Sequence, residues 1–347
     1  MMVIRPVQGS DCDLLMALAE LSGVGFTSLP QHQASLNERI ARMIATWQGK
    51  AEKQDEGFLF VLEDTETKKA VGVSGIEVAI GLCDPWYHYR VGTLVHASRE
   101  LGVHTTMPTL FLSNDHTGNS ELCTLFLHPD YRHSRNGHFL SKARLLFIAT
   151  FQSLFTSKII AEMRGYSDQH GQSPFWESLG RHFFTFDFAK ADYLTGIGQK
   201  AFIAELMPKH PLYIDFLGQE AKDAIAKVHP NTEPARKILE SEGMRYEGYV
   251  DIFDGGPTLE AYVRDLRIVK DHLSYQVVIE EQVSAGEAEM LVGNTSFQDY
   301  RAIKATPLIK GHRLYLSAKQ AKALSVQTGD EVKAVSLFAQ EKTHAAA

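Results

Sequence analysis

Two arginines and one glycine form a short basic loop between an apolar run and an amphipathic stretch. Arg132, Arg135 and Gly137 follow residues 128–130 (His-Pro-Asp), which end the apolar run at residues 122–127. Guanidinium groups pair with phosphate oxygens in a fixed geometry, and the unpaired amides of a first helical turn bind anions. The spacing therefore predicts an anion site, suited to a phosphorylated cofactor. A solvated basic loop is the alternative, because so short a pattern is common.

The apolar pattern predicts the two elements beside this loop. Leu122, Leu125, Phe126 and Leu127 form a run of strand length. After the loop, apolar residues recur at spacings of one, three and four, so that one face of a helix can pack on a sheet. These residues are Phe139, Leu140, Ala143, Phe147 and Phe151.

Strand, basic loop and helix in this order resemble the coenzyme A pyrophosphate site of the GNAT acyltransferase superfamily, whose loop reads Arg/Gln-x-x-Gly-x-Gly/Ala. Arg132, Arg135 and Gly137 match it in part, with Arg135 at the first glycine position. The resemblance implies an α+β fold with a central mixed sheet flanked by helices. It also implies that these three residues hold the CoA pyrophosphate, with the Arg135 guanidinium compensating for a backbone that approaches phosphate less closely than glycine would.

Long blocks spread over most of residues 1–325 resemble the arginine N-succinyltransferase family. They include FLSNDHTGNSELCTLFLHPDYR, AEMRGYSDQHGQSPFWESLGRHFF and VHPNTEPARKILESEGMRYEGYVDIFDGGPTLE. The family resemblance implies transfer of succinyl from succinyl-CoA to the α-amino group of L-arginine, giving N2-succinyl-L-arginine and CoA. That reaction opens succinyl-dependent arginine catabolism to glutamate and succinate. Another amine acceptor such as ornithine, or a non-catalytic acyl-CoA-binding module, stays open because fold does not fix function.

The family resemblance also implies roles for single residues. It points to His229 as the proton donor for the departing thiolate, and a histidine can serve because it titrates near neutral pH. His229 precedes Pro230 and a helix-cap signal at residues 231–232, which places it in a loop. The resemblance puts a succinyl-CoA contact at Leu125, on a bulged strand whose amides around Leu125 to Leu127 hold pantetheine and the thioester carbonyl. Leu125 fits the role of a core strand residue equally well.

Recognition of arginine requires acidic groups for the guanidinium and a cation for the α-carboxylate. A carboxylate pairs with guanidinium in a bidentate geometry, and Arg164 could hold the α-carboxylate. Each candidate fits the role of a helix cap or surface charge as well. The candidates are Asp115, His116, Glu121, Glu162, Arg164, Asp251 and Asp254.

Two other chemistries find less support. Cys123 could be a nucleophile near His128, but no helix N-terminus precedes it to activate the thiol, so we expect a buried structural cysteine. His128, His133 and His138 are five residues apart and share no helical face, so we expect no metal site.

Composition bounds the partners and the compartment. A formal charge of -7 over 347 residues, without a dense Lys/Arg stripe, argues against nucleic acid and favours small-molecule substrates. Three widely spaced cysteines suit a reducing cytoplasm, and the chain contains neither a signal-like segment nor a run of membrane-spanning length. We expect a cytoplasmic enzyme that binds no permanent cofactor and uses succinyl-CoA as co-substrate.

The order of predicted elements suggests three regions and a tail. Residues 1–190 form a GNAT-like core, with an insertion at about 81–119 that reads as a hairpin and a last strand at residues 181–188 (RHFFTFDF). Residues 191–271 form a second, acceptor-side region that carries His229. The sequence echo between PFWESLG and KILESEG fits either a degenerate second GNAT-like half or ordinary helix-ending chemistry.

The third region and the tail complete the chain. Residues 272–341 form a small β-rich subdomain, and residues 342–347 form a disordered tail. The sequence of the β-rich subdomain suggests no chemistry, so a structural role or a contact between subunits is expected. This subdomain and the insertion are the surfaces on which a homo-oligomer could form.

Overall fold

The computed structural model describes residues 1–23, 28–198, 201–281 and 283–339. The tail expected at residues 342–347 lies outside the described residues. The strands are β1 (Met2–Pro6), β2 (Gly57–Asp64), β3 (Ala70–Glu77), β4 (His88–Ser98), β5 (Val103–Ser113), β6 (Ser120–Leu127), β7 (Lys158–Glu162), β8 (Leu212–Tyr213), β9 (Arg245–Val250), β10 (Pro257–Tyr262), β11 (Leu273–Ile279), β12 (Met290–Asn294), β13 (Ala302–Ala305), β14 (Leu308–Lys310), β15 (Arg313–Leu316) and β16 (Glu331–Ser336). The α-helices are α1 (Cys12–Ser22), α2 (Gln33–Trp47), α3 (Asn136–Thr150), α4 (Pro174–Ser178), α5 (Phe188–Gly196), α6 (Ala201–Leu206), α7 (Gln219–Ala224), α8 (Glu233–Ser241), α9 (Arg267–Asp271) and α10 (Ala318–Leu324).

These strands form one mixed sheet, in the order β14-β15-β11-β16-β12-β13-β1-β2-β3-β6-β7-β10-β9-β4-β5-β8. Helices cover both faces of its centre. Alternate side chains of β2 point to opposite sides of the sheet, so each face packs against different helices. Leu59 and Val61 pack with α1 and α2, whereas Phe58 and Phe60 pack with α3. This arrangement confirms the predicted α+β fold. Within the described residues, no helix combines the length and apolar character needed to cross a membrane.

The parallel pair β6–β7 separates soon after it begins. The two strands are in register only at Ser120 opposite Ile159 and Glu121 opposite Ile160. Beyond Glu121 they diverge, and β6 continues to Leu127 while β7 runs on to Glu162. The divergence opens a cleft in the middle of the sheet, directly before the start of α3.

The chain after β7 differs from the sequence prediction. Residues 181–188 were expected to form a strand but contain a 3-10 turn (Gly180–His182) and the first residue of α5. Phe184 stacks on Trp176, with ring centroids 5.2 Å apart, so these aromatics fill a core instead of a sheet edge. The strands that extend the sheet beyond β7 are β10 and β9, which follow α8. The sheet therefore does not end near residue 190.

Two further parts of the chain are attached to this centre. The β4–β5 hairpin, within the segment predicted to be an insertion, pairs with β9 through Tyr89 and Arg90. The β-rich C-terminal region joins the same sheet where Val3 and Ile4 of β1 pair with β13. The residue after its last strand also contacts α3, because buried Lys142 donates a 2.8 Å hydrogen bond to the Leu337 carbonyl. Both parts are thereby held close to the cleft.

Candidate active site

A cavity of about 1700 Å³ occupies the cleft between β6 and β7. One wall consists of β6 from Glu121 to Leu127, and the opposite wall includes residues 161–164 at the end of β7. The basic loop at residues 132–138 closes one end, and residues 251–254 lie at another part of the wall. The cavity therefore joins the predicted phosphate loop to a group of charged side chains.

A β-bulge lies on the cavity side of β6. Gly75 pairs with Cys123 and Val73 pairs with Phe126, so that Thr124 and Leu125 together face the single residue Ser74. Thr124 has a φ of 52°, a left-handed conformation that lets the strand accommodate the extra residue. A bulge removes backbone amides from the sheet ladder. This is the feature that the family resemblance implied around Leu125, and both Leu125 and Leu127 line the cavity.

The basic loop has the geometry of an anion cradle. Ser134 and Arg135 are both left-handed, with φ of 50° and 61°, and α3 begins at the next residue. Arg132 Nε donates a 3.1 Å hydrogen bond to the Leu127 carbonyl, which ties the loop to the end of β6. The free amides in the first turn of a helix bind anions. The Arg132 guanidinium lies over the Phe126 ring, 5.5 Å from its centroid.

The Arg135 guanidinium points to the C-terminal region. It forms a 2.8 Å ion pair with Glu289 and lies 5.0 Å from the centroid of the Phe338 ring. Lys304 supports the same arrangement by donating a hydrogen bond to the Ser134 carbonyl and pairing with Glu289. Arg135 was expected to bind phosphate through its guanidinium. Glu289 competes for that guanidinium, so a bound phosphate would have to share it.

Carboxylates crowd the wall opposite β6. Glu162 Oε1 is buried, and the side chain of Trp86 is a hydrogen-bond partner of this carboxyl group. Burial, followed by the charge of Asp251, raises the pKa of Glu162 well above its usual value. Burial likewise raises the pKa of Asp251 and of Asp254. Removal from water and mutual repulsion both disfavour ionised carboxylates, so this wall favours a cationic ligand.

Backbone amides hold two of these carboxylates in place. Asp254 accepts hydrogen bonds from the Gly165 amide at 2.6 Å and the Gly256 amide at 2.8 Å. Asp251 Oδ1 accepts from the amides of Phe253 and Asp254 at 2.7 and 2.8 Å. The residue 251–256 turn is therefore fixed by its own acidic side chains, whereas Glu162 lacks such amide partners among the described residues.

Arg164 and His229 lie next to this acidic wall. The His229 amide donates a 2.9 Å hydrogen bond to the Arg164 carbonyl, and His229 Nδ1 accepts from the Asn231 amide at 3.2 Å. Burial, then the positive charge of Arg164, lowers the pKa of His229. Arg164, Asn231 and Thr232 line the cavity, whereas His229 is not among its lining residues.

Two of the predicted acceptor residues lie elsewhere. His116 is buried against His88 and Tyr249, with ring centroids 4.4 and 4.5 Å away. Asp115 is exposed and accepts a 3.0 Å hydrogen bond from the Tyr249 hydroxyl. Neither lines the cavity, whereas Glu121 and Arg164 do. The Asp115–His116 pair fastens the base of the β4–β5 hairpin.

Cys123 does not have the environment of a nucleophile. Burial raises the pKa of its thiol to about 12, with the Arg39 charge as the main opposing effect. The thiolate is the reactive form, so a thiol with this pKa is inert near neutral pH. The expectation of a buried structural cysteine agrees with this environment.

Two arginines beside the bulge are absent from the residues identified by sequence. Arg39 Nη2 donates a 2.8 Å hydrogen bond to Thr124 Oγ1 from α2. Arg144 is fully buried in α3 and donates to the carbonyl oxygens of Cys123 and Gly75 at 3.0 and 3.4 Å. The sequence does contain signals for them: Arg39 and Arg42 share one face of α2, and Arg144 is a charge inside an apolar helix.

A bulged strand, a splayed parallel pair and a phosphate loop before a helix define a GNAT-type acyl-CoA acyltransferase. Comparison with known proteins is more specific. The family described as "Arginine N-succinyltransferase beta subunit" matches residues 2–268, and its C-terminal domain matches residues 274–336. The chain belongs to the arginine N-succinyltransferase family.

Individual relatives resemble the chain along its whole length. Proteins named arginine N-succinyltransferase are 58% identical over 347 residues in Yersinia pestis, covering 98% of this chain and 99% of the relative. One from Escherichia coli (strain 55989 / EAEC) is 54% identical over 343 residues, covering 99% and 100%. The solved structure of arginine/ornithine succinyltransferase subunit AI from Pseudomonas aeruginosa superposes with a TM-score of 0.90 at 34% identity, covering 98% and 99%.

Proposed function

We propose that this enzyme transfers the succinyl group of succinyl-CoA to the α-amino group of L-arginine, releasing CoA and N2-succinyl-L-arginine. The observation that carries the proposal is that one cavity joins the basic loop to a wall of buried carboxyl groups. The first suits the pyrophosphate of CoA and the second suits a guanidinium. The full-length relatives named arginine N-succinyltransferase support the same reaction.

In our proposal, CoA lies along β6. The amides at the start of α3 and the guanidinium of Arg132 bind the pyrophosphate, and Gly137 leaves room for it, because a Cβ there would meet no protein atom within 4 Å. The pantetheine follows Leu127 and Leu125, and the thioester carbonyl accepts from an amide of the bulge. Arg144 behind the bulge adds a fixed positive charge near the developing oxyanion.

The acceptor lies across the cleft. Glu162 and Asp251, with Glu121 beside them, bind the guanidinium of the substrate, and Arg164 binds its α-carboxylate. This assignment is supported by the Arg164 Nε atom, which is buried without a hydrogen-bond partner among the described residues. The α-carboxylate of the substrate would supply that partner.

Proton transfer is assigned to His229. Because its pKa lies below the usual value, His229 is neutral near pH 7 and can take the proton that the α-ammonium group must lose. The free amine then attacks the thioester carbon, and the carbon–sulfur bond of the tetrahedral intermediate breaks. The departing thiolate takes a proton from the histidine, which accounts for its role as proton donor.

The proposal also covers a second acceptor, the cellular compartment and the oligomeric state. Ornithine is the second candidate acceptor, because it also carries a side-chain cation and because the Pseudomonas aeruginosa structure is named for both amino acids. Three free cysteines support a reducing cytoplasm. Exposed apolar side chains on the β4–β5 hairpin, including Val95 and Leu101, support a homo-oligomer. In this account the reaction begins arginine breakdown.

An acceptor panel tests the proposed substrate. Purified protein is incubated with succinyl-CoA and, in turn, with arginine, ornithine, lysine and citrulline, while free thiol is monitored. Arginine should give the highest kcat/KM, and citrulline, which lacks the charge, should give the lowest. Equal rates with citrulline and arginine would rule out recognition of the guanidinium by the acidic wall. Binding of CoA without thiol release from any acceptor would favour a binding module.

A further inference from the structure

A succinyl group differs from an acetyl group by a distal carboxylate, which needs a cation near the thioester. We propose that Arg39 binds this carboxylate and thereby selects succinyl-CoA over acetyl-CoA. The inference rests on the proposed function, because it concerns the acyl group of the same reaction. It makes α2 the specificity element of the enzyme.

The first argument is position. Arg39 Nη2 lies 2.8 Å from the hydroxyl of Thr124, the bulge residue directly before Leu125. The distal carboxylate carbon of a succinyl thioester lies roughly 4 Å from the thioester carbon, because three carbon–carbon bonds of about 1.5 Å separate them. A guanidinium that contacts the bulge is within this reach of a thioester bound there, and Arg39 lines the cavity.

The second argument is charge. Arg39 and Arg42 both pair with Glu77, so two guanidinium groups share this carboxylate. The pairing is unequal, since Arg42 makes two 2.8 Å hydrogen bonds to Glu77 and Arg39 makes one longer contact of 3.3 Å. Glu77 is thus neutralised mainly by Arg42, and the remaining charge is on Arg39.

The third argument is hydrogen-bonding capacity. All contacts of the Arg39 guanidinium with other described residues use Nη2, which reaches Glu77, Thr124 and the Cys123 sulfur. Its Nε and Nη1 donors therefore have no partner within the described ranges. Nε–H and Nη1 lie on opposite sides of the guanidinium, so Nη1 alone can donate to one oxygen of the carboxylate in a charge-assisted hydrogen bond. The side chain is 13% exposed, so water screens the pair weakly.

The other cations that line the cavity are committed elsewhere. Arg132 and Arg135 lie in the phosphate loop, and Arg164 lies on the acceptor wall. Arg144 uses its donors on the carbonyl oxygens beneath the bulge. Lys237, on α8, pairs with Glu233 at 3.7 Å. Of the cations on the described wall, Arg39 is the one placed beside the bulge with donors to spare.

The test compares three thioesters: succinyl-CoA, its uncharged succinamoyl analogue and acetyl-CoA. Values of kcat/KM with arginine are measured for the wild type, Arg39→Gln and Arg39→Lys. The wild type should prefer succinyl over succinamoyl by at least about 100-fold, and Arg39→Gln should reduce this preference to below about fivefold. Arg39→Lys should retain part of it, because it keeps the positive charge and loses the planar guanidinium.

Controls separate specificity from structure. Arg236→Gln removes an arginine from a helix ion pair with Glu240 outside the cavity and should keep the wild-type ratio. Affinity for free CoA should be unchanged in Arg39→Gln. If Arg39→Gln does not fold, Arg39→Lys and the wild-type comparison of succinyl with succinamoyl still decide, because a wild type indifferent to the distal charge overturns the inference.

Two outcomes with Arg39→Gln also contradict the inference, and they differ from failure of the proposed function. If Arg39→Gln slows all three thioesters equally, Arg39 positions the bulge and does not select the acyl group. If the ratio stays at the wild-type value, another group binds the carboxylate. By contrast, a wild-type protein that transfers no acyl group to arginine would contradict the proposed function itself.

Discussion

Arg135 and Glu289 form a 2.8 Å ion pair that joins the phosphate loop to the β-rich C-terminal region. Arg135 occupies the first glycine position of the GNAT loop pattern, and its φ of 61° is the left-handed conformation that glycine adopts without cost. The ion pair is therefore made by a strained residue. The C-terminal region, whose sequence suggested no chemistry, supports the loop and supplies Phe338 to the cavity wall.

Arg132 should contribute more to CoA binding than Arg135. Arg132→Ala is expected to raise the KM for succinyl-CoA by about tenfold with a smaller effect on kcat, since the lost contact is made equally in ground and transition states. Arg135→Gly is the matched control. It loses an ion pair but relieves about 1 kcal/mol of backbone strain, so its KM should change less than about threefold. The opposite ranking would remove Arg132 from the phosphate site.

His229 should determine the acidic limb of the pH profile. Its lowered pKa means that the imidazole is neutral near pH 7 and becomes protonated only below its usual value of 6.5. The kcat/KM for arginine should therefore fall with decreasing pH through an apparent pKa below 6.5. His229→Gln should lower kcat by roughly 100-fold or more and remove this limb. A variant that keeps both rate and limb would exclude proton transfer by His229.

Glu162 should strengthen binding of arginine and lower the free energy of unfolding at neutral pH. Its pKa is raised in the folded protein, so ionisation disfavours folding as pH rises above the unfolded value. Glu162→Gln should therefore increase the free energy of unfolding at pH 7, and the gain should vanish at acidic pH, where the wild-type side chain is protonated in both states. The variant should also raise the KM for arginine and leave that for succinyl-CoA unchanged. Chemical denaturation at several pH values and steady-state kinetics measure the two effects.

Cys123 should be dispensable for catalysis. Its thiol is buried with a pKa of about 12, so no nucleophilic thiolate forms near neutral pH. Cys123→Ser should keep kcat within about threefold of the wild type and lose about 1 kcal/mol of stability through altered packing. Complete loss of turnover by a folded variant would instead indicate a covalent intermediate on this cysteine.

Local patterns were sufficient to predict many of the elements. The apolar run at residues 122–127 lies within β6 (Ser120–Leu127), and the helical spacing that begins at Phe139 lies in α3 (Asn136–Thr150). Residues 181–188 are aromatic enough to suggest a strand, but their rings stack around Trp176, and tertiary packing overrides β propensity there. The site divides in the same way. The basic loop is contiguous in sequence. The contact of Arg39 with Thr124 spans 85 residues, so the sequence places Arg39 on a charged helix face without showing what it contacts.

The central claim is direct succinyl transfer to the α-amino group of arginine. It is tested by mixing enzyme, succinyl-CoA and arginine, following thiol release, and locating the acyl group in the product by fragmentation mass spectrometry. The account predicts thiol release that depends on arginine and a product carrying succinyl on its α-nitrogen. Absence of arginine-dependent thiol release from a protein that still binds CoA, or a product acylated on the guanidinium, would contradict it.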